Sequence, residues 1–140
     1  MCKKLPTATI LILFLFLGCA INPPYEVVLS NGQIKYVHGK YNAYKTHLRE
    51  EIKIYAQKLY YDNNIQETGV VSVTFRVNPN GAVENVVVNS EKSTGSTALQ
   101  EIVVKAIMES APFMPLPPKY KIHPYIDFDV SLNFIYQPEN

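Results

Sequence analysis

Three histidines, His38, His47 and His123, are the residues of this chain best suited to binding a transition metal. They are isolated and too scattered along the sequence to predict a shared site. His47–Glu51 has the length of the zinc-binding sequence HExxH, but Glu51 stands where the second histidine should be. The sequence therefore predicts neither a metal site nor a cofactor.

A second candidate for chemistry is the carboxylate pair Asp127 and Asp129, which would share one face of a strand. Paired carboxylates can do acid–base work, but solvated polar residues on a wet sheet face follow the same pattern. No serine lies in a GxSxG or SxxK context, and Gly95 has too few neighbouring glycines for a phosphate loop. We predict no catalytic residue and no small-molecule substrate; a hydrolase or metal site using these aspartates or the histidines is the competing hypothesis.

Composition limits the class of protein further. The chain has 140 residues, of which 47% are hydrophobic and 18% charged, as expected for one globular domain. A net charge of +1 and the absence of any basic cluster longer than Lys3-Lys4 argue against a nucleic-acid partner.

The N-terminus has the pattern of an export signal. Lys3 and Lys4 precede an apolar run from Ala8 to Leu17, which is too short for a comfortable membrane helix. Gly18-Cys19 resembles the lipobox of bacterial lipoproteins, so residues 1–18 are interpreted as a signal peptide and Cys19 as the lipid attachment site. An ordinary signal peptide or an uncleaved signal anchor remains the alternative.

Residues 19–40 are predicted to form a short tether and a β-hairpin. Tyr25 to Val37 contains two alternating runs about Asn31-Gly32, a dipeptide typical of a two-residue type I′ turn. Counting outward from that turn pairs Leu29 with Ile34 and Val27 with Tyr36.

Two amphipathic helices are predicted. The first runs from Tyr41 to Asp62. The second follows Gly95 and ends at Pro112; either Ser96 or Thr97 can cap it, and Thr97 with Gln100 fits a capping box. The second helix carries one apolar stripe, which must lie on a sheet: Leu99, Ile102, Val103, Ala106 and Ile107.

A hairpin from Gly69 to Asn89 and a last strand from Tyr125 to Tyr136 supply that sheet. In the hairpin, Asn78 opposite Ala82 would pair Val77 with Val83, Val73 with Val87 and Arg76 with Glu84. The last strand alternates apolar and polar residues throughout, which is typical of an antiparallel sheet with one dry face. The fold class is therefore α+β: a three-stranded antiparallel sheet in the order 2-1-3, with both helices on one face.

The chain resembles the C-terminal domain of the TonB/TolA family. The residues that carry the resemblance are VSVTFRVNPNGAVENVVV at 71–88, the Ser-Thr-Gly at 93–95 and APFMPLP at 111–117, and it extends over a domain at 41–137. It implies a periplasmic interaction module that binds partners by adding a strand to a sheet edge. The last strand is the candidate edge, and its candidate partner-binding residues are Tyr125, Asp127, Asp129, Ser131 and Asn133.

Together these features predict a lipid-anchored module that docks an envelope protein as part of an envelope-spanning assembly or transport system. Ala20, rather than Asp, after the lipid cysteine favours the periplasmic face of the outer membrane, with the inner membrane as the alternative. The competing function is a signal-anchored TonB/TolA-type transducer in energy-dependent uptake or envelope maintenance.

Overall fold

The computed structural model describes residues 24–139, so the predicted signal peptide and Cys19 lie outside the described residues. Seven principal elements follow in order: β1 Tyr25–Val28, β2 Ile34–Val37, α1 Lys40–Asp62, β3 Gly69–Val77, β4 Val83–Val88, α2 Thr97–Ser110 and β5 Ile126–Phe134. β1 and β2 form a small antiparallel hairpin, and β3 to β5 form an antiparallel sheet in the order β4-β3-β5. This confirms the predicted fold class, because β5 pairs beside β3 rather than beside β4.

Both helices pack on the apolar face of the sheet. All five residues of the predicted α2 stripe are buried, and β5 buries every second residue. One continuous core results, and its largest fully buried side chains include Ile52, Phe75, Leu99, Ile107 and Leu116.

At the start of α2 the structure confirms Ser96, one of the two predicted caps, and not the Thr97–Gln100 capping box. The Ser96 hydroxyl accepts a hydrogen bond from the Leu99 N–H at 3.3 Å, so Ser96 is the N-cap. The Gln100 amide donates instead to the Gly95 carbonyl at 3.0 Å. The Thr97–Gln100 box was therefore wrong, since a cap one residue earlier already satisfies the first turn.

The predicted register of the β1–β2 hairpin was also wrong by one residue. Val28 pairs with Ile34 and Val27 with Lys35. The Leu29 N–H donates to the Gln33 carbonyl at 2.7 Å, which closes a three-residue loop instead of a two-residue one. Gly32 takes the left-handed position at φ 83, the usual arrangement of a type I turn followed by a bulge.

The β3–β4 pairing agrees with the prediction near its turn and departs from it further on. Arg76 faces Glu84 and Val77 faces Val83 as predicted, but Val73 faces Val88. β4 contains one extra residue at this point, and Asn85 has a positive φ of 52, which marks a β-bulge. The pairing of Val73 with Val87 was wrong because alternation along a strand does not reveal an inserted residue.

The segment after α2 fastens the β3–β4 turn to the body of the domain. The Phe113 N–H donates to the Gly81 carbonyl at 2.9 Å, and the Leu116 N–H donates to the Pro79 carbonyl at 3.1 Å. On the other side of this segment, the Tyr44 hydroxyl of α1 donates to the Met114 carbonyl at 2.7 Å. We call residues 112–117 the strap, because they tie the turn to the first helix.

Candidate partner-binding edge

The candidate residues of β5 and the loop before it lie on the wet face of the sheet. Asp127, Asp129, Ser131 and Asn133 are exposed and alternate with buried apolar residues, and Tyr125 is 42% exposed. The structure thus places all of the predicted residues on one surface.

A cluster of side chains centred on Arg76 lies at one end of that surface. The Arg76 guanidinium donates to Asp127 at 2.9 Å, and its carbon lies 3.5 Å from the centre of the Tyr125 ring. The hydrogen bond from Arg76 lowers the pKa of the Asp127 carboxyl. Arg76 faces Glu84 in the register but forms its ion pair with Asp127, so the expected Arg76–Glu84 pair is replaced.

The next two candidates along β5 bind hydroxyl groups of the central strand. The Thr74 hydroxyl donates to the Asp129 carboxylate at 2.6 Å, and the Ser72 and Ser131 hydroxyls are 2.6 Å apart. These side chains support the pairing of β3 with β5. The main-chain groups on the outer side of β5 take no part in these side-chain contacts.

Main-chain geometry shows which residues of β5 present hydrogen-bonding groups at that outer side. The Ser72 N–H donates to Ser93 Oγ at 3.0 Å and its carbonyl accepts from the Asn89 N–H at 2.8 Å, so both groups point toward β4. Ser72 pairs with Ser131, and in an antiparallel pair the two residues point either toward each other or both away. The N–H and C=O of Ser131 therefore point to the free edge, and the unbroken register gives the same orientation to every second residue: Asp127, Asp129, Ser131 and Asn133.

A groove runs between this edge and α1. Two neighbouring cavities of about 260 Å³ and 190 Å³ share Arg49 and Ser131 in their walls. The helix side supplies three cations and one carboxylate: Lys45, Arg49, Lys53 and Glu50. The strand side includes one carboxylate and four apolar residues: Asp129, Phe128, Val130, Leu132 and Phe134. The sequence reasoning missed this groove, although the i, i+4, i+8 spacing of the three cations indicates one helix face.

The arrangement suits binding more than bond-making chemistry. Asp127 is paired with a cation, and Asp129, which lines the 260 Å³ cavity, accepts a hydrogen bond from the Thr74 hydroxyl. Within residues 24–139, no cluster of three or more His, Cys, Asp or Glu side chains could hold a metal ion. The same residues contain no helix that is both long and apolar enough to cross a bilayer.

The fold and its edge define a class: a small α+β domain whose last strand has outward-pointing main-chain groups along one sheet edge. The chain belongs to the TonB C-terminal family, whose model matches residues 41–132.

The chain is also similar to one individual protein and to one solved structure. The chain is 33% identical over 76 residues to Protein TonB of Pasteurella multocida, a match that covers 54% of this chain and 29% of that protein. It is also similar to the solution structure of the Helicobacter pylori TonB C-terminal domain, with a TM-score of 0.41 and 21% identity over 70% of this chain and 92% of that one. The chain thus matches less than a third of the length of its Pasteurella relative.

Proposed function

We propose that this protein is a lipid-anchored interaction module of the bacterial envelope, which docks an extended segment of an envelope protein along β5. The observation that carries the proposal is the outer edge of β5. It is nine residues long, keeps an unbroken register with β3 and pairs with no further strand among residues 24–139.

An added strand would gain both affinity and selectivity at this edge. Main-chain groups of Asp127, Asp129, Ser131 and Asn133 supply the hydrogen bonds, which are independent of the partner's sequence. The partner's side chains would alternate between the wet face and the groove beside α1. The groove carries Lys45, Arg49 and Lys53 together with the carboxylates Glu50 and Asp129, and its strand side is largely apolar. The site therefore favours a segment with apolar side chains on its groove side and an acidic side chain next to the three cations.

Attachment through Cys19 would hold this module at the periplasmic face of a membrane, and Ala20 favours the outer membrane. The competing function, a signal-anchored transducer, is favoured by the similarity to a protein named TonB. The mass of the mature N-terminus separates the two, because only the lipoprotein begins at an acylated Cys19. Fractionation of Cys19→Ser provides the second test: unchanged membrane retention would exclude the lipid anchor.

The docking edge is tested by Ser131→Pro, with Ser131→Ala as its matched control. Both variants lose the hydroxyl contact with Ser72, but only proline also removes the outward N–H and blocks an incoming strand. Because that N–H makes no bond to β3, proline is tolerated there as it is on other edge strands.

We expect photocrosslinking from position 129 in living cells to yield a discrete adduct with wild type and with Ser131→Ala. Ser131→Pro should lower the adduct yield by roughly tenfold, the effect of about 1.4 kcal/mol of lost binding. Equal yields from the two variants, with both proteins folded by circular dichroism, would refute docking at this edge.

A further inference from the structure

The β1–β2 hairpin has an apolar outer face that the domain leaves uncovered. Val27 is fully buried on the inner face, whereas Val28, Ile34 and Tyr36 are 60%, 55% and 60% exposed. Val28 pairs directly with Ile34, and Tyr36 lies two residues along the same strand, so the three side chains share one face. Only Glu26, opposite Tyr36, adds a charge to this face.

The hairpin is held firmly enough to present that face in one direction. Its turn is fixed to α1 by the Ser30 N–H, which donates to the Glu50 carboxylate at 2.6 Å. Its base is fixed where the Asn42 side chain donates to the His38 carbonyl at 3.1 Å. The outer face therefore turns with the domain and is not a freely rotating appendage.

The chain before the hairpin determines what lies next to this face. Six residue steps separate Cys19 from Tyr25, and a fully extended chain covers at most about 20 Å over that length. A domain tethered by a lipid at Cys19 therefore keeps the first residue of its hairpin within about 20 Å of the bilayer surface. Aliphatic side chains with a tyrosine form the kind of surface that settles at a membrane interface.

We propose that the outer face of the hairpin, Val28, Ile34 and Tyr36, rests on the phospholipid surface and sets the orientation of the domain on the membrane. This inference depends on the lipid anchor of the proposed function. It adds a non-covalent membrane contact, which orients the domain, to the covalent lipid, which holds it at the membrane.

The proposed orientation leaves the docking edge available. The hairpin lines a shallow pocket with Ala43 and His47 of α1 and with the strap, whereas Lys45 and Arg49 face β5. At 100° per residue these two sets lie on opposite flanks of the core-facing stripe of α1. The pocket beside the hairpin and the 260 Å³ cavity beside β5 thus have different walls on α1, and we expect a bilayer beneath the hairpin to leave the outer edge of β5 open.

The test uses the full chain, produced with its own leader, acylated, and reconstituted into vesicles of phosphatidylethanolamine and phosphatidylglycerol. An environment-sensitive fluorophore is attached at Tyr36→Cys, with Val87→Cys as the matched control. Both positions are 60% exposed, but Val87 pairs with Thr74 on the wet face of the sheet, away from the helices.

We expect a blue shift and loss of emission to nitroxide-labelled lipids for the probe at position 36, and neither for the probe at position 87. Adding Ile34→Ser should reduce the quenching at position 36. Equal responses from the two positions would overturn the inference. So would a blue shift at position 36 that appears only when two copies of the labelled protein associate.

The mass of the same preparation distinguishes failure of the hairpin's membrane contact from failure of the lipid anchor. An acylated protein whose position 36 stays in water would refute only the membrane contact of the hairpin. A protein without acyl chains would refute this inference together with the lipid anchor, while the Ser131→Pro experiment would still decide the docking edge.

Discussion

The two edge strands β4 and β5 flank the same central strand, but they offer different surfaces to a further strand. β5 runs for nine residues in unbroken register with β3. β4 has six residues, is interrupted by the bulge at Asn85, and continues from a turn that the strap holds in place. A regular ladder can be extended by another chain, whereas a bulge twists and interrupts the row of main-chain groups. The domain thus has one open edge and one blunted edge.

This difference shows that hydrophobic alternation is a poor guide to whether an edge is available. β5 alternates throughout and β4, with three consecutive valines, does not, but neither pattern reveals the residue inserted at Asn85. A single residue with a left-handed backbone separates them. The experiments below test this contrast, from the largest expected effect to the smallest.

The largest effect is expected at Gly81, in the β3–β4 turn that the strap holds. A Cβ added at Gly81 would lie 1.9 Å from the Phe113 carbonyl oxygen, at a φ of +89 that L-residues avoid. We expect Gly81→Ala to lower the free energy of unfolding by about 3 kcal/mol or more, because strain and overpacking combine. Urea denaturation measures it.

Gly32 is the matched control for Gly81. It occupies the same position in the turn of the other hairpin, at φ +83, but an added Cβ would have no neighbour within 4 Å. Gly32→Ala should therefore lower the free energy of unfolding by only about 1 kcal/mol, because only the left-handed backbone opposes the added Cβ. Equal losses for the two variants would mean that the strap contributes nothing to holding the β4 side.

An intermediate effect is expected at the bulge. Valine at position 85 would have to adopt the positive φ that asparagine tolerates, so we expect Asn85→Val to cost about 1–2 kcal/mol. Asn85→Gly, which accepts that φ, should keep or slightly raise stability. If Asn85→Val were as stable as wild type, β4 would have found a regular register, and size-exclusion chromatography should then reveal whether a second open edge drives association.

The smallest effect concerns the exposed Arg76–Asp127 pair on the wet face. Because the folded protein holds the pKa of Asp127 below its ordinary value, the pair stabilises the fold above that ordinary value, near pH 4. Its contribution disappears as the pH falls through the lowered pKa. The stabilities of wild type and Arg76→Ala should therefore differ slightly at pH 7 and converge in acid.

Asp127→Asn provides an independent check of that pair, since it removes the carboxylate while keeping the side-chain shape. It should reproduce the pH 7 loss of Arg76→Ala and its convergence in acid. A constant difference between wild type and either variant across the acid range would show that the pair contributes through packing, as in the stacking of Arg76 on Tyr125, and not through charge.

Much of the architecture could be predicted from the sequence, because periodicity and turn residues act locally. The stripe from Leu99 to Ile107 and the alternation of β5 required one dry face, and Asn78 opposite Ala82 fixed the β3–β4 register next to its turn. The three-residue loop at Asn31-Gly32 was missed, because the same dipeptide fits two hairpin geometries that differ by one residue.

The site was predictable only in part. The polar residues of β5 could be placed on one face, but whether their main-chain groups point inward or outward depends on Ser72 and its bonds to the β4 side. The groove beside Arg49 depends on how far α1 stands from β5. Both depend on tertiary structure: the spacing of Lys45, Arg49 and Lys53 indicates one helix face but not which strand lies opposite it.

The bulge at Asn85 also limits how many further strands the sheet could accept. A sheet with one usable edge accepts a single strand and then stops, so each copy terminates whatever chain it joins. A sheet with two usable edges can be joined on both sides, and repeated joining leads to filaments. One extra residue in β4 thus leaves the described domain with a single regular edge, on which a second copy could not continue the sheet.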